Sequence, residues 1–104
     1  MNATVTVTAH YVPEKVLTNQ DLEKMIDTSD EWIQSRTGIA QRYIVGENEA
    51  TSDLCTQIAQ QLLEKRGLSP DDIQVIIICT CTPDHFAPST AALVQNNIGA
   101  SNAW

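Results

Sequence analysis

The chain has 104 residues, 42% of them hydrophobic and 18% charged, a composition typical of one small folded domain. Its net charge of −7 argues against a nucleic-acid partner, because phosphate contacts need clustered lysines and arginines. No apolar run approaches the ~20 residues of a membrane-spanning helix, and no signal-peptide pattern opens the sequence. We therefore expect a cytoplasmic protein without membrane or nucleic-acid partners.

Two elements are predicted ahead of residue 27. Residues 4–10 alternate polar and β-branched side chains, which is typical of a strand, and Pro13 ends it. Residues 18–26 are expected to form a short helix, because Thr18 can cap its first turn and its apolar side chains share one face.

A second helix is expected to begin near Thr28 and to stop at Gly38. Thr28 and Glu31 have the spacing of a capping box, in which each side chain satisfies a backbone N–H of the other. Glycine is the usual residue just past a helix C-terminus. Residues 40–45 are then predicted to form a strand.

Three further segments complete the pattern. Residues 51–66 repeat apolar side chains with a period near 3.6 and Gly67 follows, which predicts an amphipathic helix. Residues 75–82 form an unbroken β-branched and apolar run, which indicates a strand buried on both faces. Ser89 is the expected cap of a last helix closed by Gly99. Strands that alternate with helices predict an α/β fold, which we expect to be interrupted because no further strand follows.

The three cysteines are candidate reactive groups. Cys79 and Cys81 lie two apart on the predicted strand, and Cys55 lies on the apolar face of a helix. A zinc site would need a second ligand pair at the right spacing, and a nucleophile would need a neighbouring histidine or a helix N-terminus. We therefore interpret all three as small buried residues and predict no metal and no cofactor.

Trp32 and Arg36 are more informative, because their spacing of four residues places them on one face of the second predicted helix, with Thr28 one turn earlier. An indole and a guanidinium side by side can stack on an aromatic base and pair with phosphate. The alternative is that Trp32 is a core residue and Arg36 pairs with a carboxylate. The spacing alone favours this second interpretation.

Four stretches resemble the ketoacyl-acyl carrier protein synthase III family, the condensing enzymes that initiate bacterial fatty-acid synthesis. In chain order they are YVPEKVLTNQDLEKMIDTSDEWIQSRTGI, EATSDLCTQIAQQLL, IQVIIICTCTPD and PSTAALVQNNIGA. The resemblance implies the N-terminal part of a thiolase-like fold, a layered α/β arrangement with a mixed central sheet. Residues 1–104 would be an N-terminal segment of its first half, without the catalytic motif and the second half.

The resemblance also implies the reaction and the partners of the complete enzyme. An acyl starter would pass from coenzyme A to an enzyme cysteine, and decarboxylative condensation with malonyl-acyl carrier protein would follow, in a homodimer. The family's tryptophan and arginine on this helix hold the adenine and the phosphates of coenzyme A. They correspond to Trp32 and Arg36, with Thr28 nearby, so the resemblance reverses the preference drawn from spacing alone.

The family's catalytic cysteine, histidine and asparagine are all expected beyond residue 104, so no residue of this sequence is predicted to be catalytic and the chain alone is predicted to be inactive. Relatives carry an aromatic or large apolar residue before the Pro-Ser-Thr turn, where it reaches the partner subunit's acyl pocket. Here that position is Ala87, with Phe86 before it, and this difference leaves the preferred starter group open.

Two other functions compete with this one. The chain could be a truncated, non-catalytic interaction piece completed by another polypeptide. It could also come from a related condensing enzyme with another acceptor, including a hydroxymethylglutaryl-coenzyme A synthase-like protein.

Overall fold

The computed structural model describes residues 2–104, which divide into two compact units. We call Val12–Asn48 the hairpin unit. We call the remainder, residues 2–11 together with Glu49–Trp104, the helical unit.

The hairpin unit consists of two short antiparallel strands with two helices between them. Strand β1 (Lys15–Thr18) is followed by helices α1 (Asn19–Glu23) and α2 (Asp30–Thr37), and strand β2 (Gln41–Ile44) returns alongside β1. The ladder pairs Lys15 with Ile44 at one end and Thr18 with Gln41 at the other. The strand predicted over residues 40–45 is confirmed, whereas β1 was not predicted.

The first helix begins as the sequence predicts. The Thr18 hydroxyl accepts a hydrogen bond from the Asp21 backbone N–H, and the Asp21 carboxylate accepts one from the Thr18 backbone N–H, which completes a capping box. The helix is shorter than expected, because regular α-helical structure ends at Glu23 and turns follow.

The second helix begins one residue later than predicted, so the Thr28–Glu31 capping box is wrong. Ser29 is extended, with φ −137° and ψ 152°, and its Oγ accepts the Trp32 backbone N–H at 3.1 Å. Ser29 is therefore the cap in place of Thr28, and the N–H that it satisfies is that of Trp32 instead of Glu31. At the other end, Gly38 adopts a left-handed conformation with φ 71°, which suits a residue without a Cβ and confirms the predicted stop.

The helical unit is built on helices α3 (Thr51–Arg66) and α4 (Thr90–Ile98), which pack against each other. Both match the predicted helices, and the Ser89 hydroxyl caps α4 by accepting the Ala92 N–H at 3.2 Å. A single 3-10 turn, Pro70–Asp72, follows α3. The tightest packing lies on and just after α4, where Val94 and Ala100 are almost completely buried.

The apolar run after the 3-10 turn is extended but does not form a strand ladder within residues 2–104. Its contact with Trp104 has a parallel pattern: the Trp104 N–H donates to the Gln74 carbonyl, and the Ile76 N–H donates to the Trp104 carbonyl, both at 2.9 Å. Exposure alternates along the run. Ile76 is half-buried, whereas Ile77 is 80% exposed. Burial on both faces, as predicted for residues 75–82, is therefore wrong for this structure.

The predicted first strand has a similar outcome. Residues 4–10 are not assigned to a strand, and most of their side chains are exposed. A described contact of this segment with α3 is the hydrogen bond from Lys65 Nζ to the Thr8 carbonyl at 3.2 Å. Alternation alone does not make a strand when the backbone lacks a neighbouring strand to pair with.

Candidate functional site

Helix α2 has an inner face and an outer face. Ile33 is 8% exposed and lies on the inner face, whereas Trp32 is 58% exposed and Arg36 is exposed as well. Trp32 and Arg36 are one turn apart, so they share the outer face. Trp32 is therefore not a core residue, contrary to the interpretation that spacing alone favoured.

The guanidinium of Arg36 is exposed and open to an anionic ligand. No carboxylate among residues 2–104 forms an ion pair or hydrogen bond with its guanidinium. The acidic residues of α2, Asp30 and Glu31, lie in its first turn, where the helix dipole favours negative charge, and Arg36 lies in the last turn. A cation at this position can accept an anionic ligand without first breaking a bridge within the chain.

The start of α2 is held by side chains from outside the helix as well as by its cap. The Asp30 backbone N–H donates to Glu23 Oε1 of α1 at 2.6 Å. Together with the Ser29 cap, this contact satisfies two of the N–H groups that a helix N-terminus leaves without internal partners. Thr28, the third residue predicted for the site, is half-buried and directly precedes the cap. The helix that carries Trp32 and Arg36 is thus fixed in place at its beginning.

A buried amide supports the same helix, and the sequence did not point to it. Asn19 is fully buried, and its Nδ2 donates to Asp30 Oδ1 at 2.7 Å and to the Ile39 carbonyl at 2.8 Å. Its Oδ1 accepts from Arg42 Nη2 at 2.8 Å. Hydrogen bonds from Gln34 and from Asn19 lower the pKa of the Asp30 carboxyl, so this carboxylate stays ionised around neutral pH. The available signal was an asparagine directly after a helix cap, in a stretch that reads as polar surface.

The second predicted group, Phe86 and Ala87, lies on a loop of the helical unit. Asp84 fixes the start of this loop: its carboxylate accepts the Ser52 backbone N–H at 2.9 Å and the Ser52 hydroxyl at 2.5 Å. These bonds lower the pKa of Asp84, with the Ser52 hydroxyl contributing most. The other end of the loop leads into the Ser89 cap of α4. Between these two anchors Phe86 is fully exposed.

The cysteines do not form a nucleophilic site in this structure. Burial, and to a lesser degree the charge of Asp84, raise the pKa of Cys55, which disfavours the reactive thiolate. Cys55 lines an apolar cavity of about 460 Å³ between α3, α4 and the extended run. Cys79 and Cys81 are exposed, so their interpretation as buried residues is wrong here.

Residues 2–104 contain neither a metal-binding cluster nor a membrane-spanning helix. No group of three or more histidine, cysteine or acidic side chains is placed to hold a metal ion there. None of the helices in this range has the length and apolar character needed to cross a lipid bilayer.

The chain that carries helix α2 and the Phe86 loop is similar in sequence and in structure to known proteins. A curated relative, beta-ketoacyl-acyl-carrier-protein synthase III of Chlorobaculum tepidum, is 56% identical over 105 aligned positions, which cover all of this chain and 32% of the relative. The crystal structure of 3-oxoacyl-acyl-carrier-protein synthase III from Aquifex aeolicus superposes with a TM-score of 0.87 at 47% identity, over 93% of this chain and 31% of that one. The priming beta-ketosynthase of the R1128 polyketide pathway gives a TM-score of 0.83 at 25% identity, over 98% of this chain and 34% of that one. No family model matches the chain.

The fold is therefore the N-terminal part of the thiolase-like α/β fold of condensing enzymes, as the family resemblance implied. Within that class, the chain matches the N-terminal portion of beta-ketoacyl-acyl-carrier-protein synthase III, which confirms the resemblance. The chain spans about a third of the length of the curated relatives that it matches.

Proposed function

We propose that this chain supplies the coenzyme A-binding helix of a condensing enzyme of the synthase III type. The complete enzyme would transfer an acyl starter from coenzyme A and condense it, with loss of carbon dioxide, with malonyl-acyl carrier protein. The observation that carries the proposal is the exposed outer face of α2. There the Trp32 indole and the Arg36 guanidinium, which has no carboxylate partner among residues 2–104, lie one turn apart on a helix fixed by its neighbours.

In this proposal the two side chains recognise different parts of coenzyme A. The indole offers a flat apolar face on which adenine can stack, and the guanidinium offers planar donors that match phosphate oxygens. Thr28 would line the site next to the helix start. Catalytic residues would come from outside residues 2–104, because Cys55 has a raised pKa and exposed Cys79 and Cys81 have no described activating partner.

The proposal extends to assembly and cell compartment. The family resemblance supports a cytoplasmic homodimer in which Phe86 and Ala87 meet the acyl pocket of the partner subunit. The full exposure of Phe86 on a loop anchored at Asp84 and Ser89 is consistent with such a contact. A condensing enzyme with a different acceptor is the second candidate, because a structural neighbour at 25% identity is the priming beta-ketosynthase of a polyketide pathway.

Binding of coenzyme A to the complete protein tests the central proposal. Trp32→Ala and Arg36→Ala should each weaken binding by roughly 1–3 kcal/mol, or about 5- to 150-fold in Kd, the range for base stacking and for a charged hydrogen bond. Isothermal titration calorimetry measures this loss. Lys15→Ala is the matched control, because it removes an exposed cation from β1 of the same unit and should leave the affinity unchanged. Native affinity in both site variants would refute the assignment.

A further inference from the structure

Asn19 is, with Val94, one of the two largest fully buried side chains in the described part of the chain. A buried amide is unfavourable unless its polar atoms find partners, and each of the polar atoms of this side chain has one. The position thus uses a polar group where an apolar one could fill the space. What the amide connects explains its presence.

The Asn19 side-chain nitrogen donates hydrogen bonds to residues at both ends of α2. Asp30 is the first residue of the helix, and Ile39 directly follows the glycine that ends it. The backbone N–H of Asn19 adds a third bond, to the Ala40 carbonyl at 3.2 Å. One residue of α1 therefore fixes both the start of α2 and the chain that leaves it.

The amide itself is held by the strand pair. Arg42 of β2 donates to Asn19 Oδ1 at 2.8 Å and to the Leu17 carbonyl of β1 at 3.4 Å. A guanidinium can only donate, whereas the carboxylate of Asp30 and the carbonyl of Ile39 can only accept. The orientation of the amide is thus fixed by its partners, and the link runs from the strands through Asn19 to α2.

The hydrogen bonds of Asn19 also fix the orientation of the outer face of α2. Asp30 and Ile33 lie on the inner side, so a rotation of α2 that broke the bond between Asn19 and Asp30 would move Trp32 and Arg36 together. A displacement of about 1 Å is enough to cost a binding or reacting group most of its effect. We propose that Asn19 is a positioning residue of the coenzyme A site, acting through Asp30 and Ile39 on Trp32 and Arg36.

This inference rests on the proposed function of α2, and its test uses the complete protein. Asn19→Ala should weaken coenzyme A binding by roughly 10-fold, less than the about 100-fold that a full misplacement can cost. The KM for acyl-coenzyme A should rise, whereas the KM for malonyl-acyl carrier protein should stay the same. Gln20→Ala is the matched control, because this exposed neighbour on α1 should change neither KM.

A double-mutant cycle separates positioning from general damage. If Asn19 acts through Trp32, Asn19→Ala should cost much less affinity in a Trp32→Ala background than in the native protein. A second pair gives a rescue. Asn19→Asp places two carboxylates in contact, and adding Asp30→Asn restores a donor opposite an acceptor at this contact but not the bond to the Ile39 carbonyl, so the double variant should recover part of the affinity lost in the single one.

The possible results are distinguishable. If Trp32→Ala and Arg36→Ala both leave the affinity unchanged, the proposed function fails. If Trp32→Ala weakens binding but Asn19→Ala lowers only kcat with both KM values unchanged, the positioning role of Asn19 is overturned. If Asn19→Ala does not fold, Asn19→Asp with and without Asp30→Asn decides the matter. Failure of both of these to fold, or absence of rescue, would assign Asn19 to general stability instead.

Discussion

The two units use their extended segments differently. In the hairpin unit, β1 and β2 are only moderately apolar, yet they pair over four residues and are reinforced by Arg42. In the helical unit, the much more apolar run Val75–Cys79 has a single described backbone contact, with Trp104, and leaves Val75 and Ile77 largely exposed. Apolar character marks a segment that can be buried. A neighbouring strand and covering layers decide whether it is.

The two units also differ in the interactions that hold their elements together. Polar groups connect the elements of the hairpin unit, because Asn19 and Glu23 form hydrogen bonds of 2.6–2.7 Å with Asp30 of α2. The helical unit depends instead on contact between α3 and α4 and on helix caps. Substitutions in the hairpin unit should therefore act mainly through its hydrogen bonds, and substitutions in the helical unit through helix packing, helix caps and the exposed apolar run.

The largest effect is expected on association of the 104-residue chain. The exposed face of Val75 and Ile77 should drive self-association, because a bare apolar strand favours pairing with another chain. Ile77→Lys should shift the chain towards monomer in sedimentation velocity. Ile39→Lys adds the same charge at an exposed isoleucine of the hairpin unit and should shift it much less. A native chain that stays monomeric on concentration and unfolds cooperatively would contradict the contrast between the two units.

A smaller, local effect is expected at the start of α3. Asp84→Ala removes both acceptors from Ser52 and should destabilise the first turn of α3 by about 1–2 kcal/mol, the upper part of the range for a helix cap. Amide hydrogen exchange of Ser52 measures it, since the lost protection appears as about 5- to 30-fold faster exchange. Asp53→Ala, at the other carboxylate of the same turn, should leave the Ser52 amide protected. Unchanged exchange of the Ser52 amide in Asp84→Ala would contradict the role of Asp84 in fixing the start of the Phe86 loop.

The same contact predicts a pH dependence. The pKa of Asp84 is lower in the folded chain than its ordinary value, so its contribution is complete above the ordinary pKa, about 4. It is lost as the pH falls through the lowered folded value. Protection of the Ser52 amide should therefore persist at neutral pH and fall only in acid. Asp84→Asn should show no such step, and a step near neutral pH would contradict the assignment.

The smallest effect separates two neighbouring cap residues of α2. Ser29→Ala should destabilise the helix by about 0.5–1 kcal/mol, because the Trp32 N–H loses its acceptor. Thr28→Ala should have a smaller effect, since Thr28 is not the cap. The exchange rate of the Trp32 amide compares the two variants directly. A larger effect at Thr28 would restore the capping box that the sequence predicted.

Local signals in the sequence predicted much of this fold. The stops at Gly38 and Gly99 and the caps at Thr18 and Ser89 depend on residues within one turn, so the pattern was sufficient. Non-local features were not predictable in the same way. Strand β1 is four residues long and is defined only by its pairing with β2, whose partner residues lie 23 positions away for Thr18 and Gln41 and 29 positions away for Lys15 and Ile44. Burial of residues 75–82 depends on whether other elements pack over both faces of the run, and the local sequence pattern does not determine this.

The candidate site shows the same division. The shared face of Trp32 and Arg36 follows from helical spacing, and was predicted. Their exposure depends on which face the rest of the unit covers, and spacing alone favoured the wrong answer for Trp32. Asn19 was missed because its partners, Asp30, Ile39 and Arg42, lie 11 to 23 residues away along the chain.

A crystal structure of the complete protein with coenzyme A tests the central claim most directly. We expect the adenine to stack on the Trp32 indole and a phosphate oxygen to lie within hydrogen-bonding distance of the Arg36 guanidinium, with the bond between Asn19 and Asp30 intact. Coenzyme A bound elsewhere, with Trp32 and Arg36 still open to solvent, would contradict it.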